Sequence, residues 1–418
     1  MNYLSLPMNP IVFRNAAILD PQRAGLIPDM NVLVEGELIC EVSDRPIHCA
    51  SATVFDLKGK TLMPGLIDCH VHVLASSYNL GAVAKLANVF ATLRAVPILK
   101  GMLMRGFTSV RDAGGADWNL MQAVATGLIE GPRIFPSGRA LSQTGGHGDS
   151  RPRSDTLDTC ACAQKVGAIA RVVDGVDACR LAVREEIQKG ATQIKIMASG
   201  GVASPNDPIH FLGYSVDEIR AIVEEASNSD TYVMAHAYTG KAIKRAVECG
   251  VRTIEHGNLV DAQAAQAMAT RGAFAVPTLI TYEALANEGA QLGLPAASVA
   301  KIETARRGGM ASLEVFRAAG VAMAFGTDLL GESHRLQSEE FRIRAEVLGN
   351  QAAIHSATIT AAQLLRMDNK LGVVAAGAFA DLLVIDGNPL KDISRLLGQG
   401  DHMAAIMKNG SFVSQRLL

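Results

Sequence analysis

The sequence predicts an α/β fold: a (β/α)8 barrel of the TIM type with a small β-sandwich domain built from both chain ends. Three observations carry this reading. Short apolar runs in the middle of the chain alternate with amphipathic helical stretches, as in a parallel sheet with helical crossovers. Both ends carry short strands split by turn formers. Polar residues also stand at the C-terminal ends of the central strands, the face on which barrels of this type build their sites.

At the ends, residues 11–19, 32–42 and 53–57 are apolar or alternating runs, separated by Asp20-Pro21, Pro28-Asp29 and residues 44–46. The pattern returns after Ala378 at 381–385, 404–407 and 412–413, with turns at Asp386-Gly387-Asn388-Pro389 and Asn409-Gly410. Asn-Gly between two short runs signals a hairpin, because both residues tolerate a positive φ. The expected small domain takes residues 1–62 plus 370–418, and the barrel takes 63–369. Its eight expected strands are 66–73, 108–112, 133–137, 193–197, 232–237, 252–255, 274–277 and 322–326, with helices such as 215–227 and 240–249 between them.

Composition narrows the class. Of 418 residues, 49% are apolar and 19% charged, which excludes an intrinsically disordered chain. The 39 basic and 41 acidic residues leave a net charge of −2, so no basic excess is present to hold a phosphate backbone, and nucleic acid is not an expected partner. The longest apolar stretches are short or broken by Arg94, Pro97 and Lys100, below the roughly 18 residues of a membrane span. Pro7, Asn9, Pro10 and Arg14 interrupt the first segment, which does not read as a signal peptide. Seven cysteines without framework spacing fit reduced thiols in a cytoplasm.

The chemistry begins at Asp68-Cys69-His70-Val71-His72. Side chains alternate along a strand, so His70 and His72 share a face and can grip one metal ion, although paired histidines also occur by chance in half-exposed strands. Lys195 is flanked by apolar neighbours in Ile194-Lys195-Ile196. Burial favours its neutral amine, which can add carbon dioxide to give an anionic bridging ligand; pairing with a carboxylate is the plainer alternative. His236, His256 and Asp328 end three later strands. Singly each has a structural explanation. Together they form one constellation of metal-ligand types at one end of a barrel.

On these residues the chain resembles the metal-dependent amidohydrolase superfamily. The resemblance covers nearly all of it, from Lys60-Thr61-Leu62-Met63-Pro64-Gly65 into the first barrel strand to Gly377-Ala378-Phe379-Ala380-Asp381 at the return to the small domain. It is most similar to the binuclear prolidase-like dipeptidases and the ochratoxinases, through Thr144-Gly145-Gly146-His147-Gly148-Asp149, Lys195-Ile196-Met197-Ala198-Ser199-Gly200-Gly201, Ala235-His236-Ala237-Tyr238-Thr239 and Ile254-Glu255-His256-Gly257. The resemblance implies two divalent ions, zinc first. His70, His72 and Asp328 would hold one, and His236 and His256 the other. Carboxylated Lys195 and a hydroxide would bridge them. Asp328 would also move the proton, His147 would meet the substrate carbonyl, and Tyr238 would bind a substrate carboxylate.

The expected activity is hydrolysis of a small-molecule amide of an amino acid with a free carboxylate: a dipeptide, an N-acyl amino acid or an ochratoxin-type amide. A lactone, organophosphate or cyclic-amide hydrolase on the same two metals is the alternative, and a non-catalytic scaffold a more distant one. Deamination is disfavoured, because mononuclear deaminases of the superfamily lack the lysine and carry Glu where this chain has Thr239. Asp68 and Asp112 either orient imidazoles or are buried structural groups. Tyr282, His334 and Arg335 stand in the expected specificity loops 278–294 and 331–341 without assigned roles. A mean hydropathy of +0.19 is compatible with a homo-oligomer.

Overall fold

The computed structural model describes residues 9–20, 25–149, 151, 165–202, 207–289, 291 and 296–417. The chain divides into two compact units. One draws its described residues from Met1–Ile67, Met102–Ser109 and Phe341–Leu418, the other from Asp68–Gly101 and Val110–Glu340.

In the first unit both chain ends join one eight-stranded sheet. Ile11–Leu19 pairs antiparallel with Leu26–Glu35 and parallel with Thr53–Asp56 and Thr61–Pro64. Thr61–Pro64 then pairs antiparallel with Leu382–Ile385, which leads through Met403–Lys408 to Ser411–Gln415. The Asn409-Gly410 turn takes positive φ at both residues (47° and 71°), as its sequence requires. One apolar face packs Phe13, Val32, Leu62, Leu382 and Val384 together. Two expectations are corrected here. Pro28-Asp29 is no break but part of Leu26–Glu35, where Asp29 takes a φ of 57° and the ladder with Ile11–Leu19 shifts register. Residues 32–42 are two strands, because Gly36 (φ 56°) turns the chain into Leu38–Ser43.

Parallel strands with helices between them make the rest. Leu66–Val71, Phe107–Asp112 and Arg133–Phe135 form a three-stranded sheet. A six-stranded parallel sheet holds, in spatial order, Ala170–Val172, Ala140–Ser142, Ile194–Met197, Val233–Thr239, Thr253–Leu259 and Phe274–Val276. Single bonds continue from these arcs: Thr192 N donates to Pro136 O (2.8 Å), Ala324 N to Ala275 O (2.9 Å) and Cys69 N to Phe325 O (2.8 Å). The strand expected at 322–326 is therefore only a bridge between Ala275 and Met323, since its backbone groups bond two neighbours in turn and never build a ladder on either. Ala140–Ser142 and Ala170–Val172 were not anticipated.

Buried Val183, Ile194, Ile196, Ile222, Ala235, Ile243 and Ile254 form the core between sheet and helices. The helix Val216–Asn228 starts at a capping box, with Ser215 Oγ accepting from Glu218 N and Glu218 Oε2 from Ser215 N. Residues 278–294, expected as a loop, contain the helix Leu279–Glu288; residues 290 and 292–295 lie outside those described. Among the described residues, Cys40, Cys49, Cys69, Cys179 and Cys249 form no disulfide, and Cys160 and Cys162 also lie outside. Among the described residues, no helix is long and apolar enough to cross a membrane.

Candidate metal centre

Parallel register sets the height of each polar side chain. Met197 pairs with His236 and Ala237 with His256, so residues at equivalent steps of neighbouring strands reach the same level. Both strands run on past their histidines, to Thr239 and Leu259, with a register shift between Ala237 and Thr239. His256 (φ 69°) and Asp328 (φ 53°) adopt left-handed backbone, which costs a side-chain-bearing residue about 1 kcal/mol or more.

Asp328 is the focus. Its Oδ1 lies 3.3 Å from His72 Nε2 and 3.4 Å from His70 Nε2, and its Oδ2 lies 3.9 Å from His256 Nδ1. Single donor atoms of His70, His256 and Asp328 all fall within 4.8 Å of one another. The His236 ring packs 4.7 Å from the His256 ring, and the His70 ring 5.4 Å from that of His72. Lys195, 1% exposed, feels the charges of Glu255 and Asp328. All six residues singled out as ligands thus belong to one cluster, buried except for the partly exposed Asp328.

One nitrogen of each ring is fixed by the protein. His70 Nδ1 lies 2.7 Å from Glu255 Oε2, His72 Nδ1 3.1 Å from Gly114 O, His256 Nδ1 2.8 Å from Thr278 Oγ1 and His236 Nε2 3.1 Å from Gly200 O. Such bonds set which nitrogen of each ring is left for another partner. His70 Nε2 is buried and makes no hydrogen bond. An orphaned imidazole nitrogen facing a carboxylate, with further imidazoles and an amine around it, is a donor set that fits divalent cations of the zinc type.

The electrostatics agree with that fit. Burial pushes the Lys195 amine down to about 8, against the pull of Glu255 and Asp328. Burial drives His236 and His256 well below their ordinary values, and mutual repulsion with His147 adds to this at His236. Burial opposes charging His72 too, but hydrogen bonding and attraction to Asp328 outweigh it and raise its pKa. The Asp328 carboxyl stays well below the usual range despite burial, because His70, His72 and His256 surround it.

The expected substrate contacts flank this cluster. The His147 ring stacks on His236 at 4.2 Å, with Nδ1 3.0 Å from Asp207 Oδ2. A Cβ on Gly201 would sit 1.9 Å from that ring, so only glycine leaves the ring its place. Tyr238 packs 4.9 Å from His236, and its hydroxyl lies 2.6 Å from that of Tyr282.

Asp68 and Asp112 hydrogen-bond to groups other than imidazoles. Asp68 accepts from His70 N, Thr327 Oγ1 and Gln337 Nε2; Asp112 accepts from the amides of Val73, Gly114 and Ala116. His334 Nε2 meets Ala75 O, and Arg335 pairs with Glu288 away from the cluster. Sequence reasoning missed Arg111 and Glu255. The Arg111 guanidinium donates to both Glu255 oxygens (2.9 and 3.0 Å), and both side chains are fully buried. The signal was partial: each is a charged residue within an expected strand, but with an apolar neighbour on one side only, whereas Lys195 has one on both. Asp207 and Thr278, reached only through the fold, carried none.

The sequence profile of the Amidohydrolase family matches residues 61–413. The chain belongs to the amidohydrolase family, and so to a family of hydrolase enzymes. A solved prolidase complexed with N-methylphosphonate-L-proline is 61% identical, with a TM-score of 0.96 over 97% of this chain and 100% of that one. The ochratoxinase of Aspergillus niger is 33% identical over 90% of this chain and 82% of its own length. A Xaa-Pro dipeptidase structure with bound methionine is 28% identical, with a TM-score of 0.86 over 96% of this chain and 99% of that one. Within the family the chain therefore stands on the prolidase- and ochratoxinase-like branch, with a TIM-barrel-like α/β fold.

Proposed function

We propose that the protein hydrolyses amide bonds to an amino acid with a free carboxylate, in a dipeptide, an N-acyl amino acid or an ochratoxin-type amide. The observation that carries this is the convergence of His70, His72 and His256 on Asp328, with His236 and Lys195 beside them. His70, His72 and Asp328 would hold one divalent ion, His236 and His256 a second, and carboxylated Lys195 would join the two. The ions, zinc first, would supply an acidified water and a polarised carbonyl.

The protein's own groups do the rest. Asp328, ionised and 23% exposed, can take the proton of the attacking water and pass it to the leaving nitrogen. Asp207 holds His147 by Nδ1, and the ring would meet the carbonyl oxygen as negative charge develops there. Tyr238 receives the carboxylate of the amine-side amino acid. Buried Tyr78, Val202, Leu285, Ile302 and Leu330 pack with Tyr238 and Tyr282, and exclude water from that side.

The same reading closes the two parallel arcs into a (β/α)8 ring through the single bonds at Pro136, Ala275 and Phe325, and folds the terminal sheet into a sandwich. It divides the domains as 1–62 plus 370–418 and 63–369, and makes the protein a cytoplasmic homo-oligomer that takes no nucleic acid or membrane partner.

The test is hydrolysis by zinc-reconstituted protein of N-acyl-phenylalanine, -leucine, -proline and -arginine, each as free acid and as amide. Turnover confined to free acids is expected. Asp328→Asn should keep the fold and lose turnover at least about a thousandfold, as expected for removing the essential proton carrier. Near-normal activity of that variant removes the proton-transfer role. An inert panel beside an active lactone or phosphotriester moves the function to the alternative class.

A further inference from the structure

The His147 ring rests on one corner of the chain, and a cation from a distant helix holds that corner. Asp207 Oδ2 accepts from Gly201 N at 2.8 Å and lies 3.0 Å from His147 Nδ1. Gly201 leaves the ring its space by lacking a Cβ. Lys301, on the helix Ala296–Ala319, donates from Nζ to the carbonyls of both residues, 3.0 Å to Gly201 O and 2.9 Å to Asp207 O. Burial pushes the Lys301 amine down, and the Asp207 charge opposes this. The helix is itself fixed one turn further on. Asn258 Nδ2 donates to Ala305 O at 2.8 Å, and a Cβ on Gly308 would lie 2.5 Å from Asn258 O. Asn258 belongs to Thr253–Leu259, the strand that carries His256.

We propose that Lys301 is a positioning residue: by holding the Gly201 and Asp207 carbonyls, it fixes the seat of the His147 ring beside His236. This rests on the reading that His147 meets the substrate carbonyl. An ammonium has three protons to give, and a hydrogen bond from a charged donor is roughly twice as strong as a neutral one. Two of those bonds go to the two residues that shape the seat, one by its carboxylate and the other by the space it leaves. Without the ammonium both carbonyls lose a charged donor, and the oxygen that holds Nδ1 shifts with them. A group that stabilises developing charge acts only when it is aimed at the place where the charge appears. The loss therefore falls on the transition state and not on substrate binding. Because the helix is tied to Asn258, the same clamp sets the ring's position relative to the strand of His256.

The experiment is a double-variant cycle on zinc-reconstituted protein: wild type, Lys301→Met, His147→Ala and both together, with Lys301→Arg as the conservative control. Equal metal content and melting midpoints are checked first; if Lys301→Met does not fold, Lys301→Ala replaces it. The readouts are kcat and KM for the N-acyl amino acid that wild type hydrolyses fastest. Lys301→Met should lower kcat about tenfold with KM within about twofold, and Lys301→Arg should recover most of the loss. His147→Ala should itself lose about a hundredfold, which leaves turnover measurable. In that background Lys301→Met should cost less than about twofold, since the residue it acts through is gone. An unchanged kcat, a change in KM alone, or an undiminished loss in the His147→Ala background overturns the proposal and leaves Lys301 a structural tie. If wild type turns over no N-acyl amino acid, the amide-hydrolase reading fails separately. Crystal structures of wild type and Lys301→Met then decide the positioning: a displaced His147 ring upholds it, and Asp207 and His147 in unchanged places overturn it.

Discussion

Arg111 and Glu255 bury opposite charges side by side, and Glu255 also reaches His70. Burial alone would raise the Glu255 carboxyl; the guanidinium and His70 reverse this and hold it far below its ordinary range. Arg111→Met removes the guanidinium that pairs with that buried carboxylate and should cost about 3–5 kcal/mol in chemical denaturation. Adding Glu255→Leu should recover most of the loss, yet the double variant should bind zinc more weakly than wild type, because His70 Nδ1 loses its acceptor. Unchanged zinc affinity would reduce Glu255 to a partner for Arg111. At this scale the sequence was legible where chemistry and periodicity coincide. His70, His72, Lys195, His236, His256 and Asp328 are reactive residue types at strand positions, and the structure gathers them. Groups that hold these residues were not, because Asp207 is 60 positions from His147 and Tyr282 is 44 from Tyr238. No local pattern links such pairs before the fold exists.

One carboxylate serves two helices. Glu218 closes the capping box of Val216–Asn228 through Oε2, and its Oε1 accepts from Gly175 N, the N-cap position of Val176–Gln188. Gly175 has no side chain with which to cap, so the neighbour supplies the acceptor. The Glu218 pKa is lowered: burial works against this, and hydrogen bonds from Ser215 and Gly175 prevail. A carboxylate whose folded pKa lies below its unfolded one stabilises the fold above the unfolded value. That contribution fades as pH falls through the folded value. Glu218→Gln should therefore lower stability by about 1–2 kcal/mol at pH 7 and reduce the difference from wild type in acid, measured by denaturant midpoints across pH. A difference independent of pH would show the charge to be irrelevant. Most elements were readable from their apolar period. The failures lie where backbone bonds were shared or borrowed: the 322–326 segment divides its backbone groups between two neighbours, and Leu279–Glu288 takes its cap from Glu340.

At the scale of the whole molecule, the terminal sheet joins segments far apart in the chain. Thr61–Pro64 lies between Ile11–Leu19 and Leu382–Ile385 in the sheet order. A chain stopped at Asp381 lacks Leu382–Ile385, Met403–Lys408 and Ser411–Gln415, and exposes the apolar residues that Leu382 and Val384 cover. It should sediment as aggregate where the full chain stays in solution, since an open apolar strand edge invites pairing with another molecule. A soluble, folded truncated chain would contradict this.

That same arrangement imposes a timetable on synthesis. Pro64 leaves the ribosome 318 residues ahead of its partner Leu382. At about 5–20 residues per second the early strands must wait about 16–64 seconds for the neighbour that completes them. For that interval the nascent chain carries a half-built sheet, and its safety in the cell depends on whatever shields that edge until the last strands emerge.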